Sequence, residues 1–269
     1  MVVRLHFWLY LCRVFIEILS KVMCKRYCYL FVLVLLPLFS QAQSTAFVIG
    51  GGSTIGIQRW DNSLDREPLF QWHATVSAET VNNDDDASSV YAQLGYHVKG
   101  SAIRFRYWNI NGTNAYQTTE RFKFNNISLV LGAKQKFQLG SGKTKYFYFG
   151  GIRGDYTVNT NLDELREKNT GVFSAQSLAI YPADFYVKHL IGGVTVGAGI
   201  QLPLSELIGA EFKLSVNPDF TLQYNQPPLV NVIDPFNPGQ NTTINQRQIR
   251  NTTVELSVGL RLLRKVVYE

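Results

Sequence analysis

Three of the four histidines, His73, His97 and His189, are the residues of this sequence best suited to acid–base chemistry. A hydrolase or an acyltransferase needs a nucleophile and a base within hydrogen-bond reach, and serines stand near these histidines in the chain. All three histidines, however, share the parity of the charged residues on their predicted strands. An imidazole on such a face is explained by a polar network in the protein interior, so we predict no catalytic residue and no enzymatic activity.

Two glycine-rich segments resemble phosphate-binding loops only in part. Gly140–Thr144 matches the end of the pattern G-x-x-x-x-G-K-S/T, but Phe137 occupies the position of the first glycine. Such a loop must also lead from a strand into a helix, whereas Lys145–Phe149 has the pattern of another strand. Gly50–Gly56 imitates a dinucleotide loop without a βαβ unit around it. The first segment is therefore interpreted as a hairpin turn and the second as part of a strand, and no cofactor is predicted.

The acidic run Asp84-Asp85-Asp86 is suited to a divalent cation, but it is interpreted as a solvated turn between two strands. The three cysteines, Cys12, Cys24 and Cys28, all lie within residues 1–42. The rest of the chain therefore offers no thiolate to a metal, no cysteine nucleophile and no disulfide, which suits a protein that crosses an oxidising periplasm. No metal site is predicted.

Residues 1–42 are predicted to lie outside the folded domain. Residues 23–42 have the order of a signal peptide: two basic residues, an apolar run, and the small-residue cleavage site Ser40-Gln41-Ala42. Residues 1–22 carry a second apolar run, which a signal peptide does not need, so they are interpreted as a non-native extension with Met23 as the initiator. The alternative is that the two runs are membrane helices, but each is shorter than the roughly 20 residues of a span.

Residues 43–269 are predicted to form one β-domain with a small net charge. Residues 1–42 hold five of the 26 Lys and Arg and one of the 20 Asp and Glu, which leaves a net charge of +2. That balance gives no electrostatic reason to expect nucleic-acid binding. Apolar and polar residues alternate with period two, as in Glu211–Asn217 and Asn251–Val258, and this period is typical of β-strands. Eight such segments are predicted as strands: Thr45–Trp60, Leu69–Val81, Ser88–Trp108, Arg121–Leu139, Thr144–Leu162, Val187–Pro203, Ile208–Tyr224 and Arg247–Lys265.

The connections between these strands alternate in length. Those on one side are brief: Asn82–Ala87, Gly140–Lys143 and Leu204–Leu207. The other side has two long connections, Asp163–Tyr186 and Asn225–Gln246. Bacterial up-and-down barrels alternate short periplasmic turns with long extracellular loops in this way. The last connection is rich in proline, so we expect it to be extended and irregular.

Alternation also predicts which side chains face the inside of such a barrel and which face lipid. The inward set is polar and charged, the reverse of a soluble barrel. It comprises Glu79, His97, Lys99, Arg104, Arg106, Lys134, Lys136, Arg153, Asp155, Glu211, Lys213, Asp219, Glu255 and Arg261. The outward set includes Leu190, Val194, Val196, Ala198, Ile200, Ala210, Phe212, Leu214, Val216, Phe220 and Leu222. Apolar residues change parity near Ala102 and near Asn125, and both places are interpreted as β-bulges.

Aromatic residues gather near the predicted strand ends, as in the girdles that mark the two lipid–water boundaries. The outer group comprises Trp60, Phe70, Tyr107, Trp108, Phe122, Tyr156, Tyr186 and Tyr224, and the periplasmic group comprises Tyr91, Phe137 and Tyr146. Inside the barrel, an unpaired charge would be costly. Lys134, Arg153, Lys213 and Arg261 are therefore expected to pair with Asp155, Glu211, Glu255 or Glu79.

Four segments resemble small outer-membrane β-barrel proteins of the Bacteroidetes, the PorT-like and OmpA-like eight-stranded group. They are Ser40-Gln41-Ala42-Gln43, Tyr91–Tyr96, Leu131–Lys134 and Val258–Arg261. The resemblance covers residues 43–269 and implies an all-β, eight-stranded antiparallel up-and-down transmembrane β-barrel in the cell outer membrane. It implies little about activity, because one fold carries many functions.

Three functions remain open at this point. The first is a structural or surface-interaction barrel with a lumen plugged by charged side chains. The second, implied by the PorT likeness, is an accessory component of a secretion or surface-assembly machine. The third is a lipid-modifying enzyme. The expected partners are outer-membrane lipid and other envelope proteins, reached through the extracellular loops, and the barrel is expected to be monomeric.

Overall fold

A computed structural model describes residues 44–61, 66–81, 86–108, 115–138, 143–169, 181–234, 237 and 239–265. Residues 1–42, with the predicted extension and signal peptide, lie outside this part of the chain. Within the described residues, no helix is long and apolar enough to cross a membrane.

In the part of the chain that the structure describes, eleven strands form one closed sheet and one separate hairpin. Strands β1 to β7 follow one another around the sheet, β11 lies beside β7, and β11 pairs with β1 to close a barrel of eight strands. All neighbouring pairs are antiparallel. The bounds are β1 Ser44–Trp60, β2 Glu67–Val81, β3 Ser88–Trp108, β4 Ala115–Gln138, β5 Lys145–Thr160, β6 Leu190–Pro203, β7 Ile208–Pro218, β8 Tyr224–Gln226, β9 Leu229–Ile233, β10 Asn241–Ile244 and β11 Arg247–Lys265. The predicted up-and-down barrel is confirmed.

Strands β7 and β8 together occupy the seventh strand position of the barrel, because both pair with β11. Strand β7 ends at Pro218, and the N–H of the next residue, Asp219, still donates to the carbonyl oxygen of Asn251 in β11 at 2.9 Å. After a short break the chain pairs with β11 again, and Tyr224 in β8 lies opposite Ile249 in β11. Gly50–Gly56 lies within β1, as predicted, whereas Gly140–Gly142 of the other glycine-rich segment lie outside the described residues.

The two long connections contain secondary structure that the sequence analysis did not predict. The connection between β5 and β6 holds helix α1 (Leu162–Asn169) and a 3₁₀ turn (Asp184–Tyr186). The connection that leads to β11 holds the β9–β10 hairpin, so its prediction as an irregular loop is wrong. Leu-Val-Asn-Val-Ile in β9 is rich in β-branched residues, and these override the prolines that flank it. Helix α1 has acidic residues in its first turn and basic residues in its last, which complements its dipole.

The two faces of the barrel have the predicted polarity. Phe212, Leu214 and Val216 of β7 are 42%, 55% and 39% exposed on the outside. Of the described residues predicted to face inward, all but Arg104 and His189 do so. Arg104 is exposed and pairs with exposed Glu67 at 2.7 Å, so its prediction is wrong, and the Arg106 side chain lies outside the described residues. His189, also predicted inward, is exposed just before β6.

Both predicted β-bulges correspond to register shifts, but the extra residue lies on the neighbouring strand. Strand β3 keeps one parity throughout its pairing with β4. The shift near Ala102 occurs between Pro68 and His73 of the partner β2. The shift at Asn125 places the extra residue, Val158, in β5. Because β3 does not change parity, Arg104 remains on the outer face.

Candidate functional site: the ionic lumen and its outer cap

The lumen layer nearest the start of β1 is built around Glu79. Its carboxylate, in a residue 1% exposed, accepts hydrogen bonds from Lys134 Nζ at 2.8 Å, Lys136 Nζ at 3.1 Å and Arg261 Nε at 2.8 Å. Lys134 also donates to Glu211 at 2.9 Å. The predicted pairing of Lys134 and Arg261 with interior carboxylates is confirmed. Three positive charges around one carboxylate make this layer depend on Glu79.

The middle layer joins two histidines. Nδ1 of His97 lies 2.7 Å from Oε1 of Glu255. The ring of His97 stacks on the ring of His73, with centroids 5.5 Å apart. His73 lies between two hydroxyls, with Nδ1 2.9 Å from Thr54 Oγ1 and Nε2 2.8 Å from Ser257 Oγ. Both histidines thus belong to a polar network, as predicted.

A compact four-residue cluster forms the next layer. Nζ of Lys99, which is 1% exposed, donates to Asp155 Oδ2 at 2.5 Å and to Asp219 Oδ1 at 3.1 Å. Arg153 pairs with the same two carboxylates, and its Nε lies 3.1 Å from Asp155 Oδ2. Two basic and two acidic residues therefore neutralise one another in the interior, which confirms the predicted pairing of Arg153 with Asp155.

Farther along the lumen from this cluster, the buried side chains of the next layer carry amides and hydroxyls. Gln58 Nε2 donates to Asn251 Oδ1 at 2.7 Å, and Asn251 Nδ2 donates to Gln223 Oε1. Gln223 Nε2 in turn donates to Asn126 Oδ1 at 3.3 Å, which also accepts from Thr157 Oγ1 at 2.7 Å. This chain of hydrogen bonds crosses the lumen and satisfies polar groups that are almost wholly buried.

The outer end of the lumen is closed by a hydrophobic cluster, here called the outer cap. It consists of Trp60, Ile103, Phe122, Phe124, Leu162, Leu165, Tyr181, Val187, Tyr224 and Ile249. Leu162 and Leu165 place the apolar side of α1 in this cluster. The sequence analysis missed the cap, although the spacing of these two leucines, with acids before and bases after, is a helix signal.

The cap explains why part of the predicted aromatic girdle is wrong. Trp60, Phe122 and Tyr224 are at most 9% exposed, because their parity directs them into the lumen. Tyr91, predicted for the periplasmic girdle, is also inside, in a second cluster with Phe147 and Phe149. Phe70, Phe137 and Tyr146 are exposed, as predicted, and Trp72 and Tyr148 are exposed although they were not predicted for the girdle. Phe137 and Tyr146 stack with centroids 5.0 Å apart, which confirms these two members.

Arg66, just before β2, adds a positive charge to the cap. Its guanidinium carbon lies 3.4 Å from the Trp60 ring centroid and 4.7 Å from that of Phe122. Burial, followed by the positive charge of Arg247, lowers the pKa of Arg66 to about 9. No described carboxylate forms an ion pair with Arg66.

This arrangement fills the lumen with side chains, and His73 and Ser257 are 2% and 5% exposed within it. The cavity beside His97 and Glu255 leaves about 10 Å³ for the centre of a water molecule, the space of roughly one water. Asp86, the described member of the acidic run, bonds to Lys136 and Lys145 at 2.7 and 3.0 Å. Among the described residues, no cluster of three metal-ligating side chains is present.

A closed antiparallel barrel with an apolar outer wall and a charged, hydrogen-bonded interior defines an outer-membrane β-barrel protein. No protein-family model matches the chain. No curated protein matches it either.

Solved structures similar to this chain are small outer-membrane barrels. The outer-membrane protein OprG from Pseudomonas aeruginosa is 10% identical, with a TM-score of 0.42, over 82% of this chain and 99% of that chain. Neisserial surface protein A is 11% identical, with a TM-score of 0.37, over 81% and 97%. The N-terminal barrel domain of Pseudomonas aeruginosa OprF is 11% identical, with a TM-score of 0.37, over 82% and 100%.

Proposed function

We propose that this protein is a non-conducting, non-enzymatic outer-membrane barrel with a structural or surface-interaction role. The observation that carries the proposal is the filled lumen, in which ion pairs, amides and the outer cap follow one another from Glu79 to Tyr224. An eight-stranded barrel has room inside only for side chains or one small ligand. The barrel therefore acts through its outer surfaces.

The surface offered to a partner lies on the outer side. Val230 and Ile233 of the β9–β10 hairpin are each 66% exposed, and Phe185 beside the cap is 74% exposed. These residues lie outside the barrel wall and do not contribute to its outward apolar face. Exposed apolar side chains on a polar loop favour contact with another envelope protein. The wall itself contacts outer-membrane lipid, and one copy is sufficient to close the barrel.

Conductance measurements test the filled lumen. The purified protein, inserted into a planar bilayer in concentrated potassium chloride, is expected to give no single-channel steps. An open porin added to the same bilayer serves as the control for detection. Steady conductance from the protein alone would contradict a closed lumen.

Cysteine labelling tests which end faces outward. The described residues contain no cysteine, so single substitutions can be read directly. Thr243→Cys in exposed β10 is expected to react with a membrane-impermeant maleimide on intact cells. Ser205→Cys, exposed in the turn between β6 and β7, is expected to react only after the outer membrane is opened. The opposite pattern would reverse the orientation.

Site-specific photocrosslinking tests the interaction surface. A photoreactive residue at Val230 is expected to give a discrete protein adduct in native membranes. The same residue at Phe220, 64% exposed on the wall, is the matched control and should give none. Equal results at both positions would argue against a partner at the hairpin.

An accessory role in a secretion or surface-assembly machine and a lipid-modifying activity both stay predictions. Purification of native membrane complexes would test an accessory role in a secretion machine. Mass spectra of lipid A from a deletion strain would test lipid modification, and unchanged spectra are expected because His73 and Ser257 are 2% and 5% exposed inside the lumen.

A further inference from the structure

Two arginines lie directly opposite each other on the outer face of the barrel wall. Arg59 of β1 pairs with Arg250 of β11 in the strand register, and both residues are exposed. Their chain neighbours Trp60 and Ile249 are buried in the outer cap, so the two arginine side chains are directed away from the lumen. Directly opposed residues of an antiparallel pair have Cβ atoms about 5 Å apart, and like charges there destabilise the sheet.

No described side chain neutralises this arginine pair. Among the residues that the structure describes, neither Arg59 nor Arg250 forms an ion pair or a side-chain hydrogen bond. Asp61, two positions after Arg59, is exposed and forms no ion pair with either of them. Arg104, at the same end of the barrel wall, differs because Glu67 offsets its charge at 2.7 Å. The arginine pair therefore offers two adjacent positive charges to an anion from outside the chain.

The arginine pair lies at the boundary of the apolar wall. Between Arg250 and Arg264, the side chains that face outward on β11 are Thr252, Val254, Leu256, Val258, Leu260 and Leu262. The stretch from Thr252 to Leu262 rises about 25 Å along the barrel axis at the usual strand tilt, which matches the height of the apolar band of an outer-membrane barrel. Arg59 and Arg250 therefore lie at the depth where the headgroups of membrane lipids begin.

We propose that the arginine pair binds the phosphate group of a membrane lipid, whose acyl chains lie along the apolar face of β1 and β11. The proposal names the headgroup chemistry that the wall recognises, so it rests on the proposed function, in which the wall contacts outer-membrane lipid. A phosphate has several oxygens, so one group can accept hydrogen bonds from both guanidinium groups and offset both charges.

A lipid fits this position better than a free anion does. The arginine pair is exposed, and an exposed charge holds a free ion only weakly because water and salt screen the attraction. A lipid adds the burial of its chains against the wall, where Ile57 of β1 is 47% exposed and Leu256 of β11 is 55% exposed. The charge and the apolar surface thus act together on one molecule.

The test is a lipid titration of the protein in detergent micelles, read by native mass spectrometry. The probe is dioleoyl phosphatidic acid, and dioleoylglycerol has the same chains without the phosphate. The wild-type protein is expected to bind phosphatidic acid roughly tenfold or more tightly than dioleoylglycerol, and Arg59→Gln/Arg250→Gln is expected to lose this preference. Arg104→Gln/Arg121→Gln removes two exposed arginines at the same end of the barrel and is the matched control, with the wild-type preference expected.

Sodium phosphate, compared with sodium chloride at equal ionic strength, distinguishes the lipid from a free ion. It is expected to leave the binding of phosphatidic acid unchanged, and displacement of the lipid would overturn the assignment to a lipid. If Arg59→Gln/Arg250→Gln does not run as a compact band on unheated gels, the single variant Arg250→Gln replaces it. Equal binding of the two lipids by the wild type, or an equal loss of preference in the two double variants, would also overturn the proposal.

The outcomes separate this proposal from the proposed function. Single-channel steps from a protein that prefers phosphatidic acid would contradict the filled lumen and leave the arginine site standing. A non-conducting barrel without that preference would contradict the arginine site alone.

Discussion

His97 and Glu255 join two strands that are not neighbours in the barrel wall. Nδ1 of His97 in β3 lies 2.7 Å from Oε1 of Glu255 in β11, although β1 and β2 separate these strands around the wall. Both residues are at most 5% exposed. The contact therefore acts across the lumen and not along the sheet, so it holds together strands that share no ladder.

Reversing the charge of Glu255 is expected to destabilise the barrel. In Glu255→Lys the new cation would lie beside His97 and in the same cavity as Lys213 and Arg153. Breaking a buried pair in this way costs roughly 3–5 kcal/mol. The protein should lose its compact band on unheated gels at a lower temperature than the wild type. Glu206→Lys, in an exposed turn, is the control, and an equal transition temperature for both variants would contradict the pairing.

Removing the charge of Glu79 is expected to destabilise the lumen layer nearest the start of β1. Glu79→Gln leaves Lys134, Lys136 and Arg261 without the carboxylate they share. We expect the free energy of unfolding to fall by roughly 3 kcal/mol or more. The measurement is the urea midpoint in micelles, read from the same gel shift. Glu67→Gln breaks an exposed ion pair with Arg104 and should cost less than about 1 kcal/mol.

The number of barrel strands and the polarity of the two faces could be predicted from sequence because both follow from a period-two pattern. Some strand limits could not: β4 begins at Ala115 and not at Arg121, and β7 ends at Pro218 and not at Tyr224. Lys99 lies in β3, Asp155 lies in β5 and Asp219 directly follows β7, yet their shared parity was sufficient to place them together inside. The position of a register shift is harder to predict from sequence. The pattern near Ala102 indicated an irregularity, but it did not show whether β2 or β3 holds the extra residue, and Arg104 was misplaced as a result.

The outer cap could not be derived in the same way. Trp60, Phe122 and Tyr224 have the residue types of a lipid girdle, and only the parity of each strand end distinguishes a cap from a girdle. That parity places the three aromatic side chains on the inner face. Their partners Leu162 and Leu165 come from a loop, whose position depends on tertiary contacts and not on the strand pattern.

Gly199 is expected to be intolerant of a side chain. A Cβ at this position would meet the carbonyl oxygen of Phe212 and would lie 2.5 Å from Cζ of Phe147, whose ring covers the glycine. Gly199→Ala should therefore lower the free energy of unfolding by about 1–3 kcal/mol through overpacking. Gly154→Ala is the matched control, because nothing lies within 4 Å of its Cβ. Equal urea midpoints for the two variants would show that the Phe147 ring moves aside freely.

Helix α1 is expected to detach when its apolar side is charged. Leu165 is 8% exposed in the outer cap, so Leu165→Asp would bury a carboxylate among aromatic rings. Trypsin added outside proteoliposomes should then cut after Arg166 and Lys168 roughly tenfold faster or more, because local opening exposes the helix.

The Leu165→Asp variant also shows whether the outer cap or the buried ion pairs close the lumen. Glu164→Gln changes an exposed residue of α1 and should be cut at the wild-type rate. Leu165→Asp should also remain non-conducting, because the layers around Asp219 and Glu79 still fill the lumen below the cap. If cleavage increases and conductance appears with it, the cap alone closes the barrel. If cleavage increases and conductance stays absent, the buried ion pairs close it by themselves.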